Sequence, residues 1–305
     1  MFKKIGIILN SKSLKWVKGR LWVPTAFKIN KSKIIIFFAG QRKNLESDVG
    51  YFIYDIKKNI VTKVSNKPIL VRGKLGSFDD SAVVPCQIIK IRSNFFLYYV
   101  GWMQGKKVPY LPSLGLAVSK NLLGPYKKYS HGPIIEKNNI DPFFVASCFV
   151  EKLQKNFIMH YTSSTGWTKK NKIIEPRYII KNSFSINGVN WIRKNKISIN
   201  FKNSLEKAIT RPWIINFSNK KIMFYSLKKR KYEIKVAKYF KNRWKTLNIN
   251  IFKNSKKTHY DNESNEYASV VDSEGKYFMF YNGNQYGKTG IALAISDEKT
   301  ISKYI

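Results

Sequence analysis

The chain predicts an all-β fold, a five-bladed β-propeller in one domain spanning residues 1–305. Three observations carry this expectation. First, one grammar recurs: an acidic residue opens a short apolar strand, a strand rich in Phe and Tyr follows, and a third strand closes with small residues. The openings begin at Phe78, Asp141, Glu206 and Glu263, and stepping from Asp80 to Asp141, Glu206 and Glu263 gives 61, 65 and 57 residues. A period of about 60 residues with about four strands per unit is what a propeller blade requires. Second, short β-branched and aromatic runs dominate and no helical period is sustained. Third, no structureless stretch is long enough to link two domains.

Taken in order, residues 1–10 have a basic flank and a short apolar segment without a small-residue cleavage site, which reads as a first strand rather than a signal peptide. A unit starting near Arg20-Leu21-Trp22-Val23-Pro24 has the repeat length but lacks the carboxylate. Blades therefore open near Leu21, Asp80, Asp141, Glu206 and Glu263. Second strands fall at 33–39, 95–100, 157–161, 222–225 and 277–281. Third strands fall at 114–119, 232–237 and 290–296, where small residues let neighbouring strands approach.

Composition narrows the partners. The net charge is +38, from 56 Lys and Arg against 18 Asp and Glu. The basic residues are spread along the chain, and the densest run, 228–238, alternates basic with apolar as a half-buried strand does. Lys, Asn and Ile are enriched together, which points to base composition rather than selection for a polyanion. Nucleic-acid binding is therefore not the expectation, although attraction to phosphorylated or acidic substrates stays open. No apolar run approaches the roughly 18 residues needed to span a bilayer. Cys86 and Cys148 form no disulfide framework and read as buried core thiols, so a cytoplasmic protein is expected. No Gly-rich phosphate loop, zinc motif or nucleophile elbow is present, so neither metal nor cofactor is expected.

Several of these residues resemble a family. Phe78-Asp79-Asp80-Ser81-Ala82-Val83-Val84-Pro85, Tyr98-Tyr99-Val100-Gly101-Trp102, His131-Gly132-Pro133-Ile134-Ile135 and Asp141-Pro142-Phe143-Phe144-Val145-Ala146-Ser147 look like the five-bladed propeller proteins related to glycoside hydrolase families 43 and 32. Arg211-Pro212 and residues 281–290 extend the likeness, which covers roughly residues 20 to 296. The nearest look-alikes are the glycosidase-like proteins of bacterial surface-polysaccharide clusters. The resemblance implies a carbohydrate or nucleotide-sugar substrate and a role in surface-polysaccharide metabolism. Those hydrolases carry Asp, Asp and Glu on the innermost strands of successive blades. Here the first blade offers Arg20 and Trp22 in place of the base aspartate, a departure from the hydrolase pattern.

Glycoside hydrolysis takes two carboxylates flanking the scissile bond, one as acid and one as base or nucleophile. The catalytic candidates are Asp80, Asp141, Glu206 and Glu263, with Asp79 and Glu175 behind them. Equivalent positions of a rotational repeat share one depth, so the four carboxyl groups are expected within about 15 Å of one another at one end of the channel, a few times the separation of a catalytic pair. The alternative for each is a turn cap or an arginine pair. Arg211 and Arg177 are candidate clamps for an anionic substituent, or structural salt bridges. Trp102, Trp167 and Tyr286 follow strands and either stack on a sugar ring or simply pack. His160 lies inside a strand and is placed to reach the channel, whereas His131 belongs to a turn. A glycoside hydrolase-like protein acting by carboxylate acid/base chemistry is the resulting expectation. A non-catalytic glycan-binding propeller and a polyanion-binding protein are the alternatives.

Overall fold

The strands of the computed structural model, which describes residues 1–252 and 258–305, are sorted by how thoroughly each is buried. After β1 (Lys3–Leu9), the first group is β2 (Leu21–Lys28), β3 (Lys33–Gln41), β4 (Ser47–Asp55) and β5 (Ile60–Val64). The second is β6 (Ala82–Ile91), β7 (Asn94–Gln104), β8 (Tyr110–Ser119) and β9 (Lys127–Lys128). The third is β10 (Val145–Lys152), β11 (Phe157–Lys170), β12 (Ile173–Ser185) and β13 (Ile192–Ile199). The fourth is β14 (Ala208–Phe217), β15 (Lys220–Lys228), β16 (Tyr232–Phe240) and β17 (Arg243–Leu247). The last is β18 (Asn265–Ser273), β19 (Lys276–Gly283) and β20 (Ile291–Asp297). Two short helices, α1 (Asn284–Gly287) and α2 (Glu298–Ser302), complete the elements used below.

Within each group successive strands pair antiparallel, as meanders. The last group has three strands of its own, and β1 adds the fourth, with Lys3 opposite Ile295 and Leu9 opposite Ile291. Both ends of the described chain thus share one sheet.

Burial follows position in the meander. The second strand of the first group, Lys-Ile-Ile-Ile-Phe-Phe-Ala-Gly-Gln, is buried at every residue from Ile34 to Gly40. It is a continuous β-branched and aromatic run because both of its faces are covered. The outer strand β5 is exposed or half-exposed throughout.

Among the described residues five hydrophobic clusters fill the gaps between successive meanders, which the parallel pairs Ser47–Ala82 and Tyr178–Ala208 join into two eight-stranded sheets beside the four-stranded last one. Phe37 and Tyr51 meet Leu97 and Tyr99 between the first and second. Tyr98 and Leu116 meet Val150 and Met159 between the second and third, and Ile180 and Ile199 meet Met223 and Tyr225 between the third and fourth. Phe224 and Val236 meet Val270 and Met279 between the fourth and fifth. Finally Phe278, Phe280 and Leu293 of the fifth pack on Ile36, Phe38 and Phe52 of the first. The contacts close a circle.

Each innermost strand carries a β-bulge at a corresponding place. The register shifts lie between Trp22 and Thr25, Pro85 and Gln87, Ala146 and Cys148, Thr210 and Trp213, and Glu266 and Ser269. Val23, Ser147, Arg211 and Tyr267 there have φ of 53°, 26°, 57° and 60°. Bulges of this kind re-aim side chains. The residues just before them, Trp22, Pro85, Ala146, Thr210 and Glu266, hold equivalent positions around the ring of first strands.

The acidic openings sit elsewhere. The inner strands begin at Ala82, Val145, Ala208 and Asn265, so Asp80, Asp141, Glu206 and Glu263 lie in the loops leading into them.

Candidate functional site

Trp22, Pro85, Ala146 and Thr210 of the bulge ring line an inner cavity of about 110 Å³. It continues outward into a basin of about 540 Å³, and Trp22, Trp102, Tyr110, Tyr178 and Tyr267 belong to both. The basin is large enough for a small ligand. Its walls are aromatic: Trp102 stacks on Tyr110 with centroids 5.2 Å apart and meets Trp22 at 5.6 Å. Tyr267 stacks on Tyr286 at 6.4 Å, and the hydroxyls of Tyr178 and Tyr232 are hydrogen-bonded to each other. Burial, with the neighbouring phenols and Glu175, raises the Tyr178 and Tyr110 hydroxyls above their ordinary value, so they stay neutral donors. Arg20 and Lys228 stand on the rim, and the Arg20 guanidinium lies over the Tyr286 ring at 5.8 Å.

The floor is closed by Arg211. Its Nη1 donates to the carbonyls of Cys86 at 2.8 Å and Pro85 at 3.3 Å, and its Nη2 to the Pro24 carbonyl and Thr25 Oγ1, both at 2.8 Å. One side chain from the fourth meander therefore ties it to the first and second. Burial lowers its pKa to about 10, with the Cys86 and Cys148 thiols opposing, and the guanidinium remains a cation at neutral pH. Arg211 is a rivet through the ring. Cys86 and Cys148 are buried free thiols beside it, in keeping with their sequence reading.

The ring position of the fifth meander is Glu266. It is 1 % exposed and precedes the basin-lining Tyr267. Its Oε1 accepts the Tyr286 N–H at 3.0 Å, while its Oε2 is buried with no hydrogen-bond partner. Burial raises its pKa to about 8, against the opposing Ser264 hydroxyl and Tyr286 N–H, so the carboxyl holds its proton at neutral pH. Tyr286, whose N–H it accepts, and the preceding Gln285 have φ of 58° and 56° in the left-handed region. Strained backbone of this kind collects at ligand sites.

The four predicted carboxylates do not converge on this cavity. Asp80 is half-exposed in a turn, accepting from Gly76 N at 2.9 Å and Ser81 Oγ at 2.8 Å. Asp141 is fully buried and receives Tyr161 Oη at 2.9 Å, Ser163 Oγ at 2.5 Å, Lys181 Nζ at 3.0 Å and Arg193 Nη1 at 2.9 Å. Burial would raise it, but the Ser163, Lys181 and Tyr161 donors outweigh that and hold it below the usual carboxylate range. Glu206 is buried and accepts from Lys202 N at 2.8 Å, and Glu263 is exposed.

The other candidates divide. Trp102 and Tyr286 line the basin. Trp167 packs at its edge, 5.6 Å from Tyr110 and 5.4 Å from Phe144. Arg177 donates to the Glu206 carbonyl at 3.1 Å and lies over Phe201, with no carboxylate clamped. His160 turns away from the axis toward Glu151 and Ser198. Glu266 is not distinguishable in the sequence from the neighbouring Glu263, because a bulge leaves no mark in the residue pattern. Three Asp-to-Tyr pairs spaced by 20 residues, Asp79 with Tyr99, Asp141 with Tyr161 and Asp261 with Tyr281, carried the signal that those aspartates are structural.

Comparison with known proteins supports the architecture. No protein-family model matches the chain. It is 27% identical over 297 residues to the Uncharacterized protein Rv1502 of Mycobacterium tuberculosis, covering 96% of this chain and 98% of that one. Among solved structures it is similar to a glycoside hydrolase, with a TM-score of 0.74 and 16% identity over 96% of this chain and 91% of the other. A member of the GH130 family of mannoside phosphorylases and glycoside hydrolases gives a TM-score of 0.71 at 15% identity, covering 98% and 94%. A thermostable family-43 glycoside hydrolase gives 0.66 at 14%, covering 95% and 92%. At such identities the likeness establishes a shared, nearly all-β fold with glycoside hydrolase structures.

Proposed function

We propose that the chain is a five-bladed propeller that binds a glycan or activated sugar in the aromatic basin over its axis, and that Glu266 is its acid. Five meanders whose clusters close a circle, with β1 completing the last sheet, support the blade count. The basin supports the ligand class, because aromatic faces take up the apolar faces of sugar rings while neutral phenols donate to hydroxyls. The similar solved structures, several of them glycoside hydrolases, add weight.

The observation that carries the chemistry is Glu266, a carboxyl held protonated with one oxygen unpartnered at the bulge ring. A proton donor of this kind is matched to a leaving glycosidic oxygen at neutral pH. Substrate displacing Tyr286 from its left-handed turn uncovers it. Among the described residues the other bulge positions are Trp22, Pro85, Ala146 and Thr210, none of them a carboxylate. Paired-carboxylate hydrolysis therefore gives way to transfer, in which the substrate's own partner supplies the nucleophile. Arg20 suits an anionic group on that partner or on an activated sugar, whereas Lys228 is held by Glu175 at 2.8 Å. Free buried thiols agree with a cytoplasmic setting.

Non-catalytic glycan binding is the second reading, favoured by the 1 % exposure of Glu266. Incubation with sugar nucleotides and oligosaccharides, followed by mass spectrometry, separates the two. Turnover abolished in Glu266→Gln supports transfer. Saturable binding without turnover in either protein supports the binding module. Turnover equal in wild type and Glu266→Gln refutes the acid assignment.

A further inference from the structure

On the outer edge, between the third and fourth meanders, His160 joins a serine and a glutamate. Its Nδ1 lies 2.9 Å from Ser198 Oγ and its Nε2 3.1 Å from Glu151 Oε1. Ser198, His160 and Glu151 come from β13, β11 and β10 respectively, so the sheet itself fixes their spacing. Lys221 of the next meander holds the other Glu151 oxygen at 2.6 Å. Burial would raise Glu151, but His160 and Lys221 outweigh it and keep the carboxyl ionised. An ionised carboxylate only accepts, so in the neutral ring Nε2 carries the proton and Nδ1 is free to accept from Ser198. Trp244 packs edge-on against the imidazole, centroids 5.6 Å apart, and fixes its plane. The Asn182 amide donates to Ser198 Oγ at 3.2 Å.

Ser198 also lines a surface cleft of about 370 Å³ whose walls include Lys202, Arg243, Trp244 and Lys245. Ser198 is half-buried, whereas His160 and Glu151 are shielded behind it. Nucleophile to base, base to orienting acid, and an adjoining cleft are the elements of an activated serine. We propose that Ser198, His160 and Glu151 form a second site, distinct from the axial basin, that cleaves acyl esters of anionic molecules. The Ser198 oxygen attacks the ester carbonyl carbon as its proton passes to His160 Nδ1. The carbon–oxygen bond to the alcohol breaks, and the alcohol leaves with that proton. Water then attacks the acyl-serine, giving up a proton through His160, and the carboxylic acid departs as the serine is restored. The three cations of the cleft set the preference for a negatively charged substrate.

The test is labelling of the intact protein with a fluorophosphonate probe, peptide mapping, and 4-nitrophenyl acetate hydrolysis. The expected result is one adduct on Ser198, absent in Ser198→Ala and kept when the exposed loop serine beside His131 is removed in Ser130→Ala. His160→Gln should label at least about a hundredfold more slowly, the usual loss for a general base. Thermal melts establish that the variants are folded, and the half-buried Ser198→Ala serves if His160→Gln is not. No adduct on the folded wild type, or an adduct undiminished in Ser198→Ala, overturns the proposal.

Discussion

The Tyr161 hydroxyl donates to Asp141 Oδ2 at 2.9 Å, and the same bond recurs between Tyr99 and Asp79 and between Tyr281 and Asp261. Each pair joins the loop entering a sheet to that sheet's second strand. Its partners include a cation: Lys128 for Asp79, Lys181 and Arg193 for Asp141, and Lys4 for Asp261. The repeated aspartate is a clasp on each loop, with its oxygens already engaged.

Asp141→Ala should destabilise the protein by about 3–5 kcal/mol, because it strands the buried Lys181 and the half-buried Arg193. Tyr161→Phe should cost about 1 kcal/mol, the net worth of one hydrogen bond. Urea unfolding at pH 7 measures both.

The same aspartate sets an acid limit. Its folded pKa is depressed, so its stabilisation is complete above the unfolded value of 3.8 and is lost as pH falls through the lower folded value. Stability measured from pH 6 down to pH 2 should fall less steeply in Asp141→Asn than in wild type.

Arg211 should behave as a structural residue. Arg211→Met leaves the carbonyls of Pro24 and Cys86 without their side-chain donor, while that of Pro85 keeps the Thr25 hydroxyl at 3.1 Å, and should cost about 2–4 kcal/mol. Denaturant midpoints check this.

Trp102 should carry ligand affinity. Trp102→Ala removes a half-exposed ring that lines both cavities and should weaken sugar binding by about tenfold or more, the cost of a lost stacking face. Calorimetric titration against the best ligand, with unchanged melting temperature, is the measurement.

Much of the fold is legible because strand signals are local. Residues 33–39, 95–100 and 277–281 are continuous β-branched and aromatic runs, and all lie in second strands. The sheet completed by β1 is not legible, since nothing in Lys-Lys-Ile-Gly-Ile-Ile-Leu announces a partner near Ile295. The site is less legible than the fold. An acid in a loop and an acid on a bulge look alike in sequence, and only the fold shows that Glu266 sits at a bulge beside the basin-lining Tyr267. Trp102 and Tyr286 can be found because aromatics ending a second strand reach the end of the sheet where the basin opens.

The proposed chemistry requires Glu266 to hold its proton at neutral pH. Its carboxyl is raised from the ordinary 4.5 to about 8, so between those values the folded state carries more protons than the unfolded one. Stability therefore falls as pH rises across that window, and Glu266→Gln removes that fall. The direct measurement is the infrared carboxyl stretch of wild type minus Glu266→Gln, followed from pH 4 to pH 10. A protonated carboxyl band that persists at pH 7 and disappears near pH 8 is expected of the buried Glu266. A band lost by about pH 5, as for a solvated glutamate, would contradict it.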